Sequence, residues 1–401
     1  MAMVDAKLAG AFGDGVHDDT TVIQKALDAA ASGMFTGVFL PAGRYRTTGA
    51  LRVAGVGVSL VGEGVRSVIA HDFHFHGQAG GGDTIWIMPQ FRMPWLYPLA
   101  PVTADIVTLS GTHAVALGES LFLCDGRGGA GLAEARMGGT LSPGIFRELA
   151  PCEIVNVAKV AFDQGRTVIT LARPVIGSGD YENVVPKGAA ANERYLHLRR
   201  MSIPAREVTV ANFAIDFLDS RADCSVMVYY ALLASVNDLT ILREPDLGGR
   251  GGITMTGCMC SRVEKVYSPG FAGASLNSCR CCLVERCNIH GVAMEEGCTD
   301  NHVRNNFLRA EGGFGVRTND MPCRRNLIVN NTILGAASGF CAVNLWEGLD
   351  NVVLGNISAL GDASIVVGGA RGTLVTGNLA TAINSYGAGR IHAGTNLTKP
   401  A

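Results

Sequence analysis

The feature that most constrains the fold is a repeat in the second half of the chain. Aliphatic residues recur there at spacings of 21, 19, 25, 25 and 22 residues, at Val263, Val284, Val303, Ile328, Val353 and Val375. A near-constant period of this length is typical of a solenoid, in which each repeat forms one coil on top of the last. The sequence therefore predicts regular coils over residues 208–382, with the last coil ending near Ala382.

Other residue types align in register with these anchors. Two residues before each anchor lie Ser261, Cys282, Asn301, Asn326, Asn351 and Thr373. Three residues after each lie Val266, Cys287, Asn306, Asn331, Asn356 and Asn378. Five residues before the first four lie Cys258, Cys279, Cys298 and Cys323. Asparagine suits turns because its amide bonds neighbouring backbone, so the alignment predicts three columns, with asparagine amides bonded from coil to coil.

Two pairs of cysteines resemble zinc half-sites by their spacing, Cys258 with Cys260 and Cys279 with Cys281. Stacked coils would place Cys258 and Cys279 about 4.8 Å apart, and the two cysteines of each strand about 6.6 Å apart. Tetrahedral zinc needs its four sulfurs within about 4 Å of one another. We therefore expect buried free thiols, with disulfides and a metal site as the alternatives. Free thiols fit folding in a reducing cytoplasm.

Composition excludes several classes of function. The chain is 48% hydrophobic and 17% charged, and it contains 52 glycines but few aromatic residues, which favours short strands and tight turns. A net charge of −2 gives no electrostatic case for a nucleic-acid partner.

No apolar run is long enough to predict a membrane span. Residues 1–10 do not resemble a signal peptide, so we expect a cytoplasmic or phage-associated protein, or a secreted one whose leader was removed.

Residues 11–64 carry the strongest local pattern. Asp18 or Asp19 can cap a helix whose apolar stripe comprises Val22, Ile23, Ala26, Leu27 and Ala30. Gly33 is expected to end this helix, and the runs VFLPAGRY and VSLVGEG read as strands with turns. A helix at this place would cover the open strand edges of the first coil.

These runs resemble the opening module of the pectate-lyase superfamily. The match rests on GDGVHDDTTVIQKALDAA, VFLPAGRY and VSLVGEG, all within residues 11–64. That module opens polygalacturonase-like and glucanase-like glycoside hydrolases and phage tailspike depolymerases. The resemblance implies an all-β fold, a right-handed parallel β-helix spanning residues 1–401 as one domain, with residues 11–64 as cap and first coils. It also implies flanks that pack as a homotrimer, but no particular reaction.

Residues of about 100–200 break the repeat. Runs at 116–125, 152–157 and 167–171 read as antiparallel strands around a Gly-rich loop at 126–140. We interpret this segment as a β-rich insertion on the helix, with coils resuming near Val208.

One outer face of the coils gathers polar side chains. Alternation along a strand turns Ile253 and Met255 inward and Thr254 and Thr256 outward. Carried from coil to coil, the outward set becomes Ser275, Asn277, Met294, Glu296, Arg317, Asn319, Asn344 and Trp346. A 19-residue coil is short enough to shift register, which would turn Glu295 outward instead of Glu296. The next coil needs a register shift of its own, which would bring Asp320 near the same outer face.

The expected catalytic residues are Glu296, Asp320, Glu347, Glu295 and Arg317. A glycoside hydrolase needs two carboxyl groups across the scissile bond. Adjacent coils would place Glu296 and Asp320 about 5 Å apart, as retention requires, and Glu296 and Glu347 about 10 Å apart, closer to the inverting range. A lyase would instead need a base and a cation, for which Arg317 with Tyr230 or His302 would serve.

The expected substrate-binding residues are Asn277, Asn319, Asn344, Trp346, Tyr230 and Trp95. Trp95 lies in the aromatic loop 89–98, which either forms a cleft wall or packs on the helix flank or a neighbouring subunit. Tyr229 and Asp216 or Asp219 would extend the face. The remaining candidates are three histidines that form either a metal site or polar surface, His71, His74 and His76.

The motifs of known reactions are missing from the sequence. It contains neither the paired-Asp and Gly-His-Gly motifs of polygalacturonases, nor the arginine motif of pectate lyases, nor the Asp-Pro-His-Asp motif of mannuronan epimerases. We therefore predict a carbohydrate-active enzyme that cleaves a polysaccharide or oligosaccharide, with hydrolysis favoured and no cofactor or metal. The alternatives are a lyase, a glycosyl-transferring enzyme such as a fructotransferase, and a non-catalytic glycan-binding tail or adhesin protein.

Overall fold

The computed structural model is a right-handed parallel β-helix. It describes residues 2–72, 83–125, 152–176, 196–218, 224–243, 252–268, 270, 272–295, 297–310, 313–319, 323–335, 341–346, 348–358, 364–368, 372–380, 382–386, 391–393 and 395–398. Within these residues, three parallel sheets form the walls and one antiparallel sheet packs outside them. The predicted fold class is confirmed.

Two long parallel sheets carry most of the strands. The fourteen-stranded sheet consists of Val4–Asp5, Asp14–Asp18, Gly37–Leu40, Gly43–Thr47, Ser59–His71, Thr209–Phe217, Ser235–Arg243, Arg262–Glu264, Leu283–Glu285, His302–Arg304, Leu327–Val329, Val352–Leu354, Thr373–Thr376 and Ile391–Ala393. The ten-stranded sheet consists of Leu51–Val53, Ile85–Ile87, Val226–Tyr229, Ile253–Thr256, Ala274–Asn277, Val292–Glu295, Val316–Asn319, Cys341–Trp346, Ser364–Gly368 and Ile383–Tyr386.

The other sheets are shorter. The six-stranded parallel sheet consists of Asn288–Ile289, Phe307–Arg309, Thr332–Leu334, Ile357–Ser358, Leu379–Ala380 and Leu397–Thr398. The antiparallel sheet consists of Gln90–Leu96, Ile106–Ser110, Ser120–Cys124, Cys152–Asp163, Arg166–Leu171 and His197–Ile203. A two-stranded sheet joins Gly55–Val56 to Ala205–Arg206. The antiparallel sheet is the predicted insertion, and its predicted Gly-rich loop at 126–140 lies outside the described residues.

The aliphatic anchors form one column in the fourteen-stranded sheet, as predicted. Val263 pairs with Val284, and the pairing continues through each later anchor to Val375. Every anchor is fully buried. The predicted end of the coils near Ala382 is wrong, because strands Ile383–Tyr386, Ile391–Ala393 and Leu397–Thr398 continue all three walls. Asn396 continues the asparagine column in this coil, but the anchor position holds Ala393 after a spacing of 18 residues, so the aliphatic repeat did not indicate it.

Ladders of polar side chains connect the coils from inside. Asn331 illustrates the pattern, since its amide nitrogen donates to Val303 O and to Asn356 Oδ1, both at 2.9 Å. The cysteine column is also present and buried. Each of its thiols donates to a carbonyl of the preceding coil, as Cys298 does to Leu276 O at 3.2 Å. These bonds satisfy polar groups that no water could reach.

The first coil is covered by the helix Thr20–Ala31, which buries four of the five predicted stripe residues and ends before Gly33. Asp18 accepts a hydrogen bond from the Thr20 N–H at 3.0 Å. Asp19 has a different role from the expected cap, since its buried carboxylate accepts from the Phe12 and Gly13 N–H groups at 2.7 and 3.0 Å. It therefore orders the preceding Gly-rich loop.

In the part of the chain that the structure describes, no helix is both long enough and apolar enough to cross a membrane.

Candidate functional site

The outer face of the ten-stranded sheet presents two columns of side chains. The strands pair in register, so that Ser275, Ala293, Arg317 and Asn344 form one column, while Asn277 and Glu295 lie in the other. The predicted outward position of Met294 is wrong. Its side chain is fully buried in the core, and the 19-residue coil shifts the register by one residue. Glu295, the alternative in the sequence prediction, therefore faces outward.

An ion pair lies at the centre of this face. Arg317 Nη2 is 2.8 Å from Glu295 Oε1 on the adjacent coil. The Glu295 side chain is 12% exposed and the Arg317 side chain 42% exposed, so the carboxylate is enclosed while the guanidinium still reaches solvent. Ionised hydrogen-bonded pairs of this kind are short and directional. The pair fixes a carboxylate at a defined place on an accessible surface.

Trp346 provides an exposed aromatic surface beside this pair. It is half exposed, and Thr318 fixes its backbone by accepting from the Trp346 N–H at 2.8 Å and donating to its carbonyl at 3.2 Å. Gly368 pairs with it on the next coil, where a Cβ atom would lie 2.7 Å from the indole ring. The absence of a side chain at Gly368 thus lets the indole lie across the neighbouring strand.

The antiparallel sheet covers the other end of the face. Tyr229 and Tyr230 are 3% and 2% exposed, because they pack with Phe122 and Ile154 of the antiparallel sheet in one apolar cluster. The rings of Phe122 and Tyr230 have centroids 4.6 Å apart. The prediction that Tyr230 contacts substrate or acts in catalysis therefore does not hold. Burial also raises the pKa of Tyr230 well above its usual value.

Asn277 on the same outer face is also nearly buried, with 3% of its surface exposed. Its amide nitrogen donates to Thr256 Oγ1 at 3.4 Å, and its amide oxygen accepts from Ser275 Oγ at 3.5 Å. Asn277 thus points outward as predicted, but it lies beneath other side chains rather than on an open surface.

A buried charge cluster joins the antiparallel sheet to the coils. The side chain of Glu153 is fully buried and lies 2.8 Å from Arg173 and 3.8 Å from Arg280, which belongs to the β-helix. Nearby, the Cys152 thiol donates to Ser278 O at 3.4 Å. The sequence does not predict this charge cluster, because no pattern links Glu153 to a residue more than a hundred positions away. The cluster places the edge of the antiparallel sheet one coil before the Glu295 strand.

Trp95 packs within the antiparallel sheet. Its ring stacks on His197 with centroids 5.0 Å apart, and the Arg199 guanidinium lies 3.9 Å from the ring centre. Arg199 and His197 are themselves buried. This arrangement matches the alternative of a packed loop better than that of a cleft wall.

The remaining predicted residues have varied positions. Asn344 is partly exposed in the Arg317 column, and within the described residues its buried amide oxygen has no hydrogen-bond partner. His302 is in the fourteen-stranded sheet, and so is Asp216, where it pairs with Arg44. Neither can therefore extend this face. The others fall outside the described residues, either wholly or in their side chains: Glu296, Asp320, Glu347, Asp219 and Asn319.

Among the residues that the structure describes, the possible metal ligands do not converge. Cys258 and Cys279 are buried, whereas Cys260 and Cys281 are exposed on the other side of the wall. His71 is buried with its Nδ1 atom 2.7 Å from Thr84 Oγ1, and His74 and His76 lie outside the described residues. No group of three or more histidine, cysteine or acidic side chains in the described part of the chain could hold a metal ion.

Comparison with known sequences finds matches over short lengths of the chain. A family model described as "Rhamnogalacturonase A/epimerase, pectate lyase-like" matches residues 3–86. A mannuronan C5-epimerase of Azotobacter vinelandii is 58% identical over 40 residues, which is 10% of this chain and 4% of the epimerase. The match therefore spans a small part of that relative's length.

Comparison with solved structures covers nearly the whole chain. The surface adhesin PfbA of Streptococcus pneumoniae has a TM-score of 0.56 and 12% identity over 96% of this chain and 79% of that chain. The tailspike of Pseudomonas phage phi297 has a TM-score of 0.54 and 12% identity over 96% and 75%. The DFA-IIIase of Arthrobacter chlorophenolicus A6 has a TM-score of 0.50 and 13% identity over 95% and 87%. At these identities the likeness shows a shared fold alone.

Proposed function

We propose that this protein, a right-handed β-helix of the pectate-lyase-like superfamily, cleaves a glycosidic bond of a polysaccharide on the outer face of its ten-stranded sheet. Hydrolysis is the favoured reaction. The observation that carries the proposal is the Glu295–Arg317 pair on adjacent coils, with Trp346 exposed on the next coil along. A fixed carboxyl group suits a base or nucleophile, a cation suits the carboxylate of an acidic sugar, and an open aromatic ring can stack on a sugar.

The geometry suits an extended chain of sugars. Parallel strands are about 4.8 Å apart, so Glu295 and Trp346, two coils apart, are separated by about 10 Å along the helix axis. An aromatic ring at that distance would hold one sugar while the carboxylate acts at a neighbouring linkage. The antiparallel sheet bounds this face at its other end, because it packs on Tyr229 and Tyr230.

Glu295 is assigned the role of base or nucleophile. The Arg317 guanidinium donates a hydrogen bond to Glu295 Oε1 at 2.8 Å, which holds this carboxyl group in one orientation on the outer face. The protonated acid that hydrolysis also needs must come from another carboxyl group. The sequence predicts Glu296, Asp320 and Glu347 for that role, each of which directly follows a strand of the ten-stranded sheet.

Arg317 also supports a second reaction at the same site. In an elimination, a cation neutralises the carboxylate of a uronic acid while a base removes the proton next to it. The exposed guanidinium could make that contact, and Glu295 could act as the base. The names of the relatives are consistent with an acidic glycan as the substrate. The family model refers to rhamnogalacturonase, and the short sequence matches are mannuronan epimerases.

Glycan binding without cleavage is the second candidate function. Among the described side chains of the two outward columns, Glu295 is the one acidic residue, whereas hydrolysis needs a pair. Similarity of fold to a surface adhesin and to a tailspike agrees with this alternative.

Incubation with a panel of acidic and neutral polysaccharides tests these possibilities. New reducing ends without ultraviolet absorbance indicate hydrolysis, and new reducing ends with absorbance indicate elimination. Retention of a labelled glycan without either product supports binding alone. If neither cleavage nor retention occurs with any glycan of the panel, the proposal is contradicted.

The predicted homotrimer stays a prediction. The six-stranded parallel sheet exposes Phe307, Ile357 and Leu397 in one column, which would suit contact between copies. Light scattering of the purified protein measures its mass in solution, and the mass of one chain of 42.0 kDa would contradict the prediction.

A further inference from the structure

Two cysteines are separate from the buried thiol column. Cys260 and Cys281 are exposed, whereas Cys258 and Cys279, two residues earlier in the same coils, are each 1% exposed. The exposed pair has left-handed backbone at both residues, with φ angles of 50° and 55°. Because the two residues share one backbone conformation on adjacent coils, their side chains leave the wall in the same direction.

The register of the coils places the pair side by side. Met259 pairs with Arg280 in parallel, and the residue after each is the exposed cysteine. The Cys260 N–H donates to Arg280 O at 2.9 Å, which locks this register. Neighbouring parallel strands are about 4.8 Å apart. That separation lies within the range of about 4.4–6.8 Å that a disulfide spans between Cα atoms.

The corner of the β-helix that holds Cys260 and Cys281 also joins later coils through their side chains. Asp300 and Arg325 occupy the equivalent position, also with left-handed backbone, and form a two-point ion pair at 2.8 and 2.9 Å. Contact between adjacent coils is therefore a general property of this corner. Cys260 and Cys281 make the corresponding contact with sulfur atoms.

The contact also activates one sulfur. A hydrogen bond from the Cys281 thiol lowers the pKa of Cys260 to about 7 and raises that of Cys281. The other ionisable groups that face the pair are Arg173, Arg280, Cys282 and Asp300. By contrast, burial raises the pKa of Cys279 well above its usual value. Near neutral pH, Cys260 thus supplies a thiolate in reach of a second thiol.

We infer that Cys260 and Cys281 are a redox modification site, which a low-molecular-weight disulfide oxidises to a disulfide joining two coils. The Cys260 thiolate attacks one sulfur of the reagent, whose S–S bond breaks and releases one thiolate. Cys281 then loses its proton to solvent and attacks Cys260 Sγ, which releases the second half of the reagent. Two protein thiols are oxidised and one reagent disulfide is reduced to two thiols.

Oxidised glutathione is a suitable probe. After incubation and removal of the reagent, we expect the chain mass to fall by about 2 Da, with peptide mapping that links Cys260 to Cys281. The thermal unfolding midpoint should rise by a few degrees, since the link closes a loop of the unfolded chain. Cys341→Ser, at a half-buried thiol, is the matched control and should behave as the wild type. Cys260→Ser should form no internal link.

Three outcomes would overturn the inference: glutathione that stays attached to Cys260, a link to another cysteine, or two thiols that remain free after oxidation. Alkylation gives an independent measurement that needs no oxidant. The rate at Cys260 should rise as pH increases through about 7. In Cys281→Ala that midpoint should move up toward the usual value of 9.0, and an unchanged midpoint would show that the sulfurs do not interact.

Discussion

The two ends of the outer face of the ten-stranded sheet differ in what covers them. In the strands Val226–Tyr229 and Ile253–Thr256, outward side chains such as Tyr229 and Thr256 are almost completely buried. Three to five coils later, Arg317 and Trp346 reach solvent from the same sheet. The strands pair in the same way at both ends, so the difference comes from the antiparallel sheet that packs on one of them.

This difference shows how a repeating fold can acquire a single site. A uniform solenoid would present the same outward surface on every coil. An insertion that covers the first coils leaves a boundary, and Glu295 lies at it, more enclosed than Arg317 but not buried. We expect the covered aromatic residues to contribute to stability and the open ones to contribute to binding.

Replacement of the boundary carboxylate should have the largest effect. Glu295→Gln should lower the rate of glycan cleavage by about 10²–10⁴-fold, because the amide cannot act as base or nucleophile. The matched control is Glu264→Gln, which alters a similar pair with Arg286 on the fourteen-stranded sheet and should leave cleavage unchanged. Equal activity in the two variants would remove Glu295 from the site.

Loss of a covered aromatic residue should have the next largest effect. Tyr230→Ala should lower the free energy of unfolding by about 3 kcal/mol, because it leaves a cavity against Phe122 and Phe91. Denaturant titration followed by far-ultraviolet circular dichroism measures the change. A stability equal to that of the wild type would mean that the antiparallel sheet does not depend on this contact.

Loss of the open aromatic residue should change binding instead. Trp346→Ala should weaken glycan binding by about tenfold while it changes the free energy of unfolding by less than about 1 kcal/mol. Binding is measured by affinity electrophoresis in gels that contain the glycan. Phe307→Ala, at an exposed ring of the six-stranded parallel sheet, is the control and should bind as the wild type does. Identical binding by both variants would contradict the assignment.

A smaller effect is expected from acid on the antiparallel sheet. Burial alone would raise the pKa of Glu119, but hydrogen bonds from Arg200, the Ala116 N–H and Arg92 bring it below the usual 4.5. The folded state therefore gains stability from Glu119 above pH 4.5, and this gain is lost as pH falls through the lowered value. The protection of Ser120–Cys124 against hydrogen exchange, relative to an unstructured chain at the same pH, should fall below that pH in the wild type, and less steeply in Glu119→Gln. The same steepness in both would contradict this role.

The sequence predicted the coils because their interior repeats. Valine, cysteine and asparagine recur at fixed distances from each anchor, and a buried column needs side chains of similar size and bonding capacity on each coil. The one-residue error at Met294 has a physical cause. Inward and outward positions alternate along a strand, so a turn that is one residue shorter exchanges the inward and outward residues of the next strand. The sequence gives the length of the turn but not its backbone conformation.

The local sequence by itself determined the coil architecture, the inner ladders and the polar character of one outer face, because these depend on residues that recur in each repeat and meet only their nearest coils. Only the tertiary structure decided which outward residues are accessible. Tyr230 is buried because a sheet distant in the sequence packs above it, whereas Trp346 on the same outer face stays half exposed. Such contacts form between surfaces without any shared period, so they leave no pattern in the chain.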